Sequence, residues 1–316
     1  MPPARPQLSI VVPVFHNEGS LPETAAALAS TARSLVDEQF ELVFVDDGSG
    51  DRSFDVLVRL SRDPSHHLKI VKLTRNFGSM AAIQAGLAAS GGACVGIITA
   101  DLQDPPELFV EMHRHWREGV KCVLAVRAER EDGLATRIAA AAFYAVLRRY
   151  ALPGYPRGGF DFCLIDRQVV DTLVAMNEKN THIMNLIFWL GYPHVMIPYT
   201  RRARRSGRSR WTFSKKLKLF VDSFAAFSYA PIRAVTCAGL AMAALAGLYG
   251  LFQIYLRLSS GTPVPGFTTT VTLIALTSGI QMTMLGILGE YLWRALDAAR
   301  GRPPFVVDKI IEPPHA

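Results

Sequence analysis

Oxygen-bearing side chains are concentrated in residues 99–107, TADLQDPPE, directly after a short apolar run. The Asp101 carboxylate and the Gln103 amide oxygen are ligands of the kind that Mg²⁺ and Mn²⁺ prefer. A divalent cation held there could neutralise the charge that builds on a diphosphate as it leaves. Asp104, which precedes two prolines, also fits the cap of the following helix. The string therefore predicts a metal site at Asp101 and Gln103, with Asp104 as a helix cap.

A second acidic string, VDDGS, occupies residues 45–49 and follows another apolar run. Adjacent carboxylates such as those of Asp46 and Asp47 can accept hydrogen bonds from a nucleobase N–H and from ribose hydroxyls. An ordinary Asp-Gly turn is the alternative interpretation. The segment PVFHNE, residues 13–18, adds polar groups and an aromatic ring to the same region.

A third acidic string, GFDFCLIDR, spans residues 159–167. Asp161 and Asp166 are five residues apart, so they need not share a face, and one of them could act as a base or orient an acceptor. The alternative for Asp166 is the cap of a helix that begins at Arg167. Both aspartates are candidate catalytic residues on this basis.

The acidic strings lie at or near the ends of β-branched apolar runs, which alternate with helical patterns. Such alternation predicts an α/β fold, with βαβ units, a mainly parallel Rossmann-like sheet and helices on both faces. Ligands of such sheets bind beyond the carboxyl ends of the strands. The predicted strands are Leu8–Val14, Glu41–Val45, Leu68–Leu73 and Val95–Thr99, and the predicted helices are Leu21–Val36, Ser53–Ser61 and Ser79–Ala89.

Two uncharged segments, residues 234–256 and 267–289, follow a basic run, Arg201–Lys218, that holds nine Lys or Arg and no acidic residue. At roughly 1.5 Å per residue each spans about 35 Å, enough to cross a bilayer core of about 30 Å. Further arginines follow the second segment, whereas Arg257 lies at the other end, so the positive-inside rule places both termini in the cytosol. The sequence predicts a transmembrane hairpin. The alternative is a pair of buried core helices.

An apolar stripe precedes the hairpin. Its members recur at helical spacing, with lysines mostly off the stripe, which predicts an amphipathic helix in the membrane surface. A plain domain-packing helix is the alternative. Residues 138–150 form a second candidate interfacial helix. The stripe consists of Phe213, Leu217, Phe220, Phe224 and Phe227.

The order and spacing of these motifs resemble the family 2 glycosyltransferases of GT-A fold, specifically the polyprenyl-phosphate glycosyltransferases. The resemblance covers roughly residues 9–306. It divides the chain into a catalytic domain (1–211), an interfacial helix (212–230), a transmembrane hairpin (231–293) and a cytosolic tail (294–316). The matching motifs are residues 12–18, 45–49, 75–86, 99–107 and 161–167, then Arg201, Arg204, Gly207, Ser209, Arg210 and Trp211, and finally 289–294 and 302–305.

The resemblance implies a role for each matching residue. The reaction would be an inverting transfer of a sugar, from a UDP-sugar rather than a GDP-sugar, to undecaprenyl phosphate. Asp101 and Gln103 would hold Mg²⁺ or Mn²⁺, and Asp161 would act near the acceptor. The nucleotide sugar would contact Pro13, Phe15, Glu18, Asp46, Asp47, Asn76 and Asp101. The acceptor phosphate would contact Arg201, Arg204, Ser209 and Arg210, since arginine offers a planar fork for phosphate oxygens.

The sequence departs from the family pattern at several places. Thr99 stands where the pattern has the first Asp of DAD, Cys163 replaces an Arg and so removes a positive charge near the acceptor, and Ser79-Met80 replaces Lys-Glu. These departures leave open a catalytically impaired membrane scaffold. A processive polysaccharide synthase is a further alternative, although Gly207 occupies the Gln position of its QxxRW motif.

Composition limits the remaining possibilities. The 316-residue chain is 50% hydrophobic and has a formal net charge of +7, which suits phosphates or an anionic membrane surface. The basic run has few interleaved aromatics, so no nucleic-acid partner is expected. The four cysteines predict neither a zinc site nor a disulfide framework, and Met1–Pro6 lacks a signal-peptide h-region. We expect a homo-oligomer, such as a tetramer, in the bacterial plasma membrane.

Overall fold

The computed structural model of the protein describes residues 6–128, 134–179, 181–202, 227–228, 230–260 and 266–314. The chain divides into two compact units, the first comprising residues 1–223 and 303–316 and the second residues 224–302. The predicted interfacial stripe lies outside the described residues, apart from Phe227.

The first unit contains one mixed eight-stranded sheet, in the order β7-β5-β6-β4-β1-β2-β3-β8. The predicted α/β architecture is confirmed, and the edges gain strands that periodicity did not indicate. The strands are β1 Leu8–Val14, β2 Phe40–Asp46, β3 Leu68–Leu73, β4 Cys94–Ile97, β5 Cys122–Arg127, β6 Phe162–Asp166, β7 His194–Tyr199 and β8 Val307–Ile311.

Helices cover both faces of this sheet, so its central strands are buried along almost their whole length and are mostly apolar. On one face Leu28, Phe44 and Phe109 are fully buried in a common core. On the other face Gly86 lets a helix approach closely, because a Cβ there would collide with Val11. The helices are α1 Leu21–Val36, α2 Ser53–Leu60, α3 Ser79–Ala89, α4 Leu108–Arg117, α5 Leu134–Tyr150, α6 Arg167–Met176 and α7 Ile183–Trp189.

Strand direction decides which loops meet. Strands β1 to β4 are mutually parallel, β6 is antiparallel to both β4 and β5, and β7 is parallel to β5. The carboxyl ends of β1, β2, β4, β5 and β7 therefore share one edge of the sheet with the amino end of β6. We call this the carboxyl edge, and the other end of the same strands the opposite edge.

The second unit contains two long helices, α8 Ala230–Ser260 and α9 Phe267–Ala299. They run antiparallel, since Tyr291 of α9 donates to the Ser228 carbonyl just before α8, and Met284 lies against Gly239. Among the described residues one segment, Ile232–Leu256, is long and apolar enough to cross a membrane. Its most apolar window is not buried within the protein, so the alternative of a buried core helix is wrong for this segment.

The chain returns to the first unit after α9. Strand β8 pairs antiparallel with β3 at the edge of the sheet, and the Thr74 amide donates to the Val306 carbonyl. Charged pairs strengthen the contact, with Lys72 3.5 Å from Asp308 and Lys69 3.3 Å from Glu312. The segments on either side of the helix pair thus belong to the same domain.

Candidate active site

The carboxyl edge brings together the first two acidic strings. Strands β4, β1 and β2 are neighbours and parallel, so Asp46 at the end of β2 and Asp101 beyond β4 flank the loop that follows β1. That loop is fastened to its neighbours, because the His16 and Asn17 amides donate to the hydroxyls of Ser49 and Ser53. The result is a concentrated group of carboxylates on a rigid scaffold.

Asp46 has the surroundings of a ligand-binding carboxylate. It is fully buried, and its Oδ1 accepts from the Ser49 amide at 3.3 Å. Its Oδ2 is also buried and has no hydrogen-bond partner among the described residues. Burial raises the pKa of Asp46. An incoming N–H or O–H donor would satisfy the second oxygen and favour the charged form.

Asp47 has a structural role at the end of β2. Its two oxygens accept from the Phe77 and Gly78 amides at 2.7 and 2.9 Å, which ties the end of β2 to the loop before α3. Gly48 adopts a φ of 65° and packs so closely that a Cβ would collide with Arg75. The carboxylate predicted to bind nucleotide therefore orders a loop, in which Asn76 is exposed.

The residues of the β1 end and following loop that were predicted to contact the nucleotide sugar differ in their surroundings. Pro13 and Phe15 are half-buried at the carboxyl edge. The Phe15 and His16 rings meet edge to face, with their centroids 4.3 Å apart. Glu18 accepts from the Arg52 amide at 3.1 Å, and its carboxylate lies 3.5 Å from the Arg52 side chain. Glu18 thus fixes the start of α2.

The loop after β4 is held from several directions. Ser20 and Thr24 donate to the Ala100 carbonyl at 2.7 and 3.0 Å. The Arg202 amide donates to the Gln103 carbonyl at 2.8 Å, and the Gln103 side-chain amide donates back to the Arg202 carbonyl at 3.4 Å. This second contact engages the Gln103 nitrogen, so its side-chain oxygen remains available to a cation.

Asp104 is not the helix cap that the sequence suggests. The cap position of α4 is Glu107, which makes no side-chain capping bond. Asp104 is fully buried and accepts from Tyr199 at 2.5 Å and from Thr99 at 2.9 Å, with the Arg201 Nε 3.3 Å away. The prediction that Asp104 caps α4 was wrong. The following Pro-Pro pair is a local signal for a helix start, but the Asp104 side chain bonds to Tyr199 at the end of β7, which is distant along the chain.

Asp161 reaches the same edge from the amino end of β6. It is paired with Arg127, the last residue of β5. Burial opposes the charge of Arg127, but Asp161, Tyr199 and Asp104 raise its pKa overall. Cys163 is fully buried within the sheet. Arg127 supplies a positive charge beside Asp161, whereas the charge loss expected from Cys163 stays a prediction.

Asp166 lies at the opposite edge, because β6 is antiparallel to β4 and Asp166 pairs with Cys94 at the start of β4. Its side chain accepts from the Gln168 amide at 3.0 Å, so the alternative of a helix cap is confirmed. It also accepts from Trp116 at 2.9 Å. The structure contradicts the prediction of a catalytic Asp166, since residues five apart on one strand approach opposite ends of the sheet.

The predicted acceptor-phosphate group is described in part. Arg201 lies beside Asp104, and Arg202 donates to Glu107 at 3.2 Å. Arg204, Ser209 and Arg210 lie outside the described residues. Sequence reasoning missed Arg127 and Tyr199, which face each other in the β5–β7 register. In both strands, the signal that could have identified these residues was a polar side chain at the end of a mostly apolar run.

The spatial grouping of Asp46, Asp101 and Asp161 agrees with the motif order noted in the sequence. The profile of glycosyl transferase family 2 matches residues 9–174. The chain belongs to glycosyl transferase family 2.

Relatives of this family member match nearly the whole chain. An uncharacterized glycosyltransferase, YkcC, of Bacillus subtilis is 37% identical over 96% of this chain and 94% of its own length. The bactoprenol glucosyl transferase of Shigella phage SfII is 32% identical over 96% and 98%. The undecaprenyl-phosphate 4-deoxy-4-formamido-L-arabinose transferase of Photorhabdus laumondii is 28% identical over 96% and 94%.

Among solved structures, the mannosyltransferase PcManGT of Pyrobaculum calidifontis, in complex with GDP-Man and Mn²⁺, matches with a TM-score of 0.48. It is 18% identical to this chain and covers 93% of it and 87% of its own length.

Proposed function

We propose that the protein transfers a sugar from a nucleoside-diphosphate sugar, a UDP-sugar by preference, to undecaprenyl phosphate. The transfer inverts the configuration at the anomeric carbon. The observation that carries the proposal is the convergence of Asp46, Asp101 and Asp161 at one edge of the sheet. Relatives named for bactoprenol and undecaprenyl-phosphate substrates match along the whole length and support the acceptor class.

The donor side of this proposal rests on the loops after β1, β2 and β4. The buried Asp46 oxygen without a partner among the described residues would accept a hydrogen bond from the base or the ribose. Phe15 and Pro13 offer half-buried apolar surface beside it. Asp47 and Glu18 would act indirectly, by holding the loops that shape this pocket.

The residues present fit a divalent cation that also binds the substrate. Among the described residues no group of three His, Cys, Asp or Glu could hold a metal by itself. Mg²⁺ and Mn²⁺ are commonly bound by one or two protein oxygens together with substrate phosphates. Asp101 and Gln103 would provide those oxygens, and the cation would stabilise the departing diphosphate.

The acceptor side requires little proton transfer. A phosphate monoester has a second pKa of about 6, so its oxygen is already ionised at neutral pH and can attack the anomeric carbon directly. Asp161, paired with Arg127, would orient the acceptor. We expect Asp161→Asn to retain most of its turnover in a transfer assay; complete loss with intact acceptor binding would contradict this role.

The second unit would place the site at the cytosolic membrane face. We infer that α9 crosses the bilayer beside α8, because its segment 267–289 carries no charge and large apolar side chains such as Met282 and Leu285 are exposed. The return of the chain to the same sheet through β8 supports an even number of crossings. A homotetramer, expected from the family resemblance, completes the proposal.

The proposal can be tested by label transfer from a panel of UDP- and GDP-sugars to undecaprenyl phosphate, using full-length protein in detergent or lipid. The panel includes EDTA, re-addition of Mg²⁺ or Mn²⁺, and undecaprenol without its phosphate. Lipid-bound label that disappears with EDTA, returns with metal and requires the phosphate would support the proposal and identify the sugar.

The assay also tests the alternatives. Folded protein that transfers label from no donor would favour the scaffold interpretation. Thr99→Asp would then be the first substitution to test for a gain of transfer. Label in a long polymer instead of the lipid would favour a processive synthase. Label that persists in EDTA would contradict the proposed role of Asp101 and Gln103.

A further inference from the structure

A continuous set of polar contacts joins the two sides of the candidate site. We call it the Asp104 network, and it consists of Asp101, Thr99, Asp104, Tyr199, Arg127 and Asp161. Its centre, Asp104, is fully buried, so its contacts are shielded from water and stronger than surface pairs. The network begins at the predicted metal ligand and ends at the carboxylate nearest the proposed acceptor.

Thr99 makes the donor-side connection. Its Oγ1 lies 2.8 Å from an Asp101 oxygen and 2.9 Å from an Asp104 oxygen. A hydroxyl carries one hydrogen, so it can donate to one carboxylate at a time while remaining in contact with the other. An ionised aspartate at this position, as in the family pattern, would have no hydrogen to donate to either carboxylate.

Tyr199 and Arg127 make the acceptor-side connection. The Tyr199 hydroxyl donates to Asp104 at 2.5 Å, and Tyr199 stands opposite Arg127 in the β5–β7 register. Burial and Asp104 raise the pKa of Tyr199, and the Arg127 guanidinium opposes that rise. Arg127 is in turn paired with Asp161.

We propose that Thr99 is a positioning residue whose hydroxyl orients the Asp101 carboxylate before the donor binds. Through Asp104, Tyr199 and Arg127, the same network couples that orientation to Asp161. This inference rests on the proposed function, because it assigns Asp101 to the donor and Asp161 to the acceptor. It explains how the chain accommodates Thr99 where the family pattern has an acid.

The first experiment measures Mn²⁺ affinity by electron paramagnetic resonance, with UDP present, on full-length protein. Thr99→Val keeps the shape and removes the hydroxyl, so we expect affinity to fall about tenfold, as for other groups that orient metal ligands. Thr99→Ser should recover most of that loss. Thr172→Val, which removes a hydroxyl bonded to the Gln168 carbonyl within α6, is the matched control and should leave the affinity unchanged.

Equal affinity in Thr99→Val and the wild type would overturn the positioning role. So would a loss in Thr99→Ser as large as that in Thr99→Val, because the hydroxyl would then not be the cause. Thermal melting of each variant separates a local change in metal binding from general unfolding.

The second experiment tests coupling with Thr99→Val, Tyr199→Phe and the double variant, comparing kcat and the acceptor KM. Contacting residues of one network interact, so the double variant should lose at least about threefold less than the product of the single losses. Losses that multiply would overturn the coupling. Wild-type protein that binds no Mn²⁺ and transfers no sugar overturns the proposed function as well, whereas an active wild type with unaffected variants overturns this inference alone.

Discussion

The two edges of the catalytic sheet carry carboxylates of the same kind in different surroundings. At the opposite edge, Asp166 accepts from Trp116 at 2.9 Å and from the Gln168 amide at 3.0 Å, and it lies 3.0 Å from the Lys121 ammonium. At the carboxyl edge, Asp46 has a buried oxygen with no hydrogen-bond partner among the described residues. Both side chains are largely removed from water.

The difference in partners explains the difference in acidity. Burial opposes the charge of Asp166, but its hydrogen bonds from Trp116, Gln168 and Lys121 lower its pKa overall. Burial raises the pKa of Asp46, because its partners compensate incompletely. A saturated carboxylate stabilises the fold, whereas an unsaturated one is poised to bind a ligand.

The largest expected effect comes from Asp101→Ala at the carboxyl edge. Removal of a charge that holds the cation on the diphosphate should lower the transfer rate by about 10²- to 10³-fold, the loss seen when one group that stabilises developing charge is removed. Radiolabel transfer to undecaprenyl phosphate measures this. A variant with near wild-type turnover and an unchanged metal requirement would remove Asp101 from the mechanism.

Asp166→Ala, the counterpart at the opposite edge, should act on stability and not on transfer. It removes the cap of α6 and leaves Trp116 and Lys121 without an acceptor, at a cost of roughly 1–3 kcal/mol. Thermal melting should show the loss, while kcat at a temperature where the protein is folded stays within a few-fold of wild type. A selective loss of kcat would return Asp166 to the catalytic residues.

Asp46→Asn should weaken donor binding and stabilise the fold. The donor KM should rise about tenfold, the cost of one charge-assisted hydrogen bond. Because the wild-type pKa is raised on folding, wild-type stability declines as pH rises above the unfolded value of about 3.9, and asparagine avoids this decline. The melting temperature of the variant should therefore exceed that of the wild type at pH 7, with a smaller difference at pH 4.

A lower melting temperature for Asp46→Asn at pH 7, with an unchanged donor KM, would show that Asp46 resembles Asp166 in being structural. The contrast between the two edges would then fail. Asp171→Asn, an exposed change in α6, is the control for general effects of replacing a carboxylate.

The smallest expected effect is that of Trp116→Phe, which removes one hydrogen bond to Asp166 and keeps most of the ring. It should destabilise the protein by about 1 kcal/mol. Donor and acceptor KM should not change, since Trp116 lies at the opposite edge. A shift in either KM would mean that the two edges are energetically coupled and that their roles are not separate.

Local sequence predicted the central fold well. Strands β1 and β3 and helices α1 and α3 have the predicted bounds, because their β-branched runs and helical periodicity are strong local signals. Strands β5, β6 and β7 and the C-terminal β8 were missed, because such short runs carry a weak periodic signal. The assignment of Asp104 failed for a related reason: its partners Tyr199 and Arg201 are almost a hundred residues away.

By itself the sequence determined the family, the acidic strings after apolar strands, and the two long uncharged segments. These are properties of residue order, and neighbours along the chain are enough to express them. The tertiary structure decided which carboxylates act together. The antiparallel direction of β6 brings Asp161 to Asp101 and carries Asp166 to the other edge. Strand direction depends on pairing between distant segments, and for that reason spacing along the chain could not reveal it.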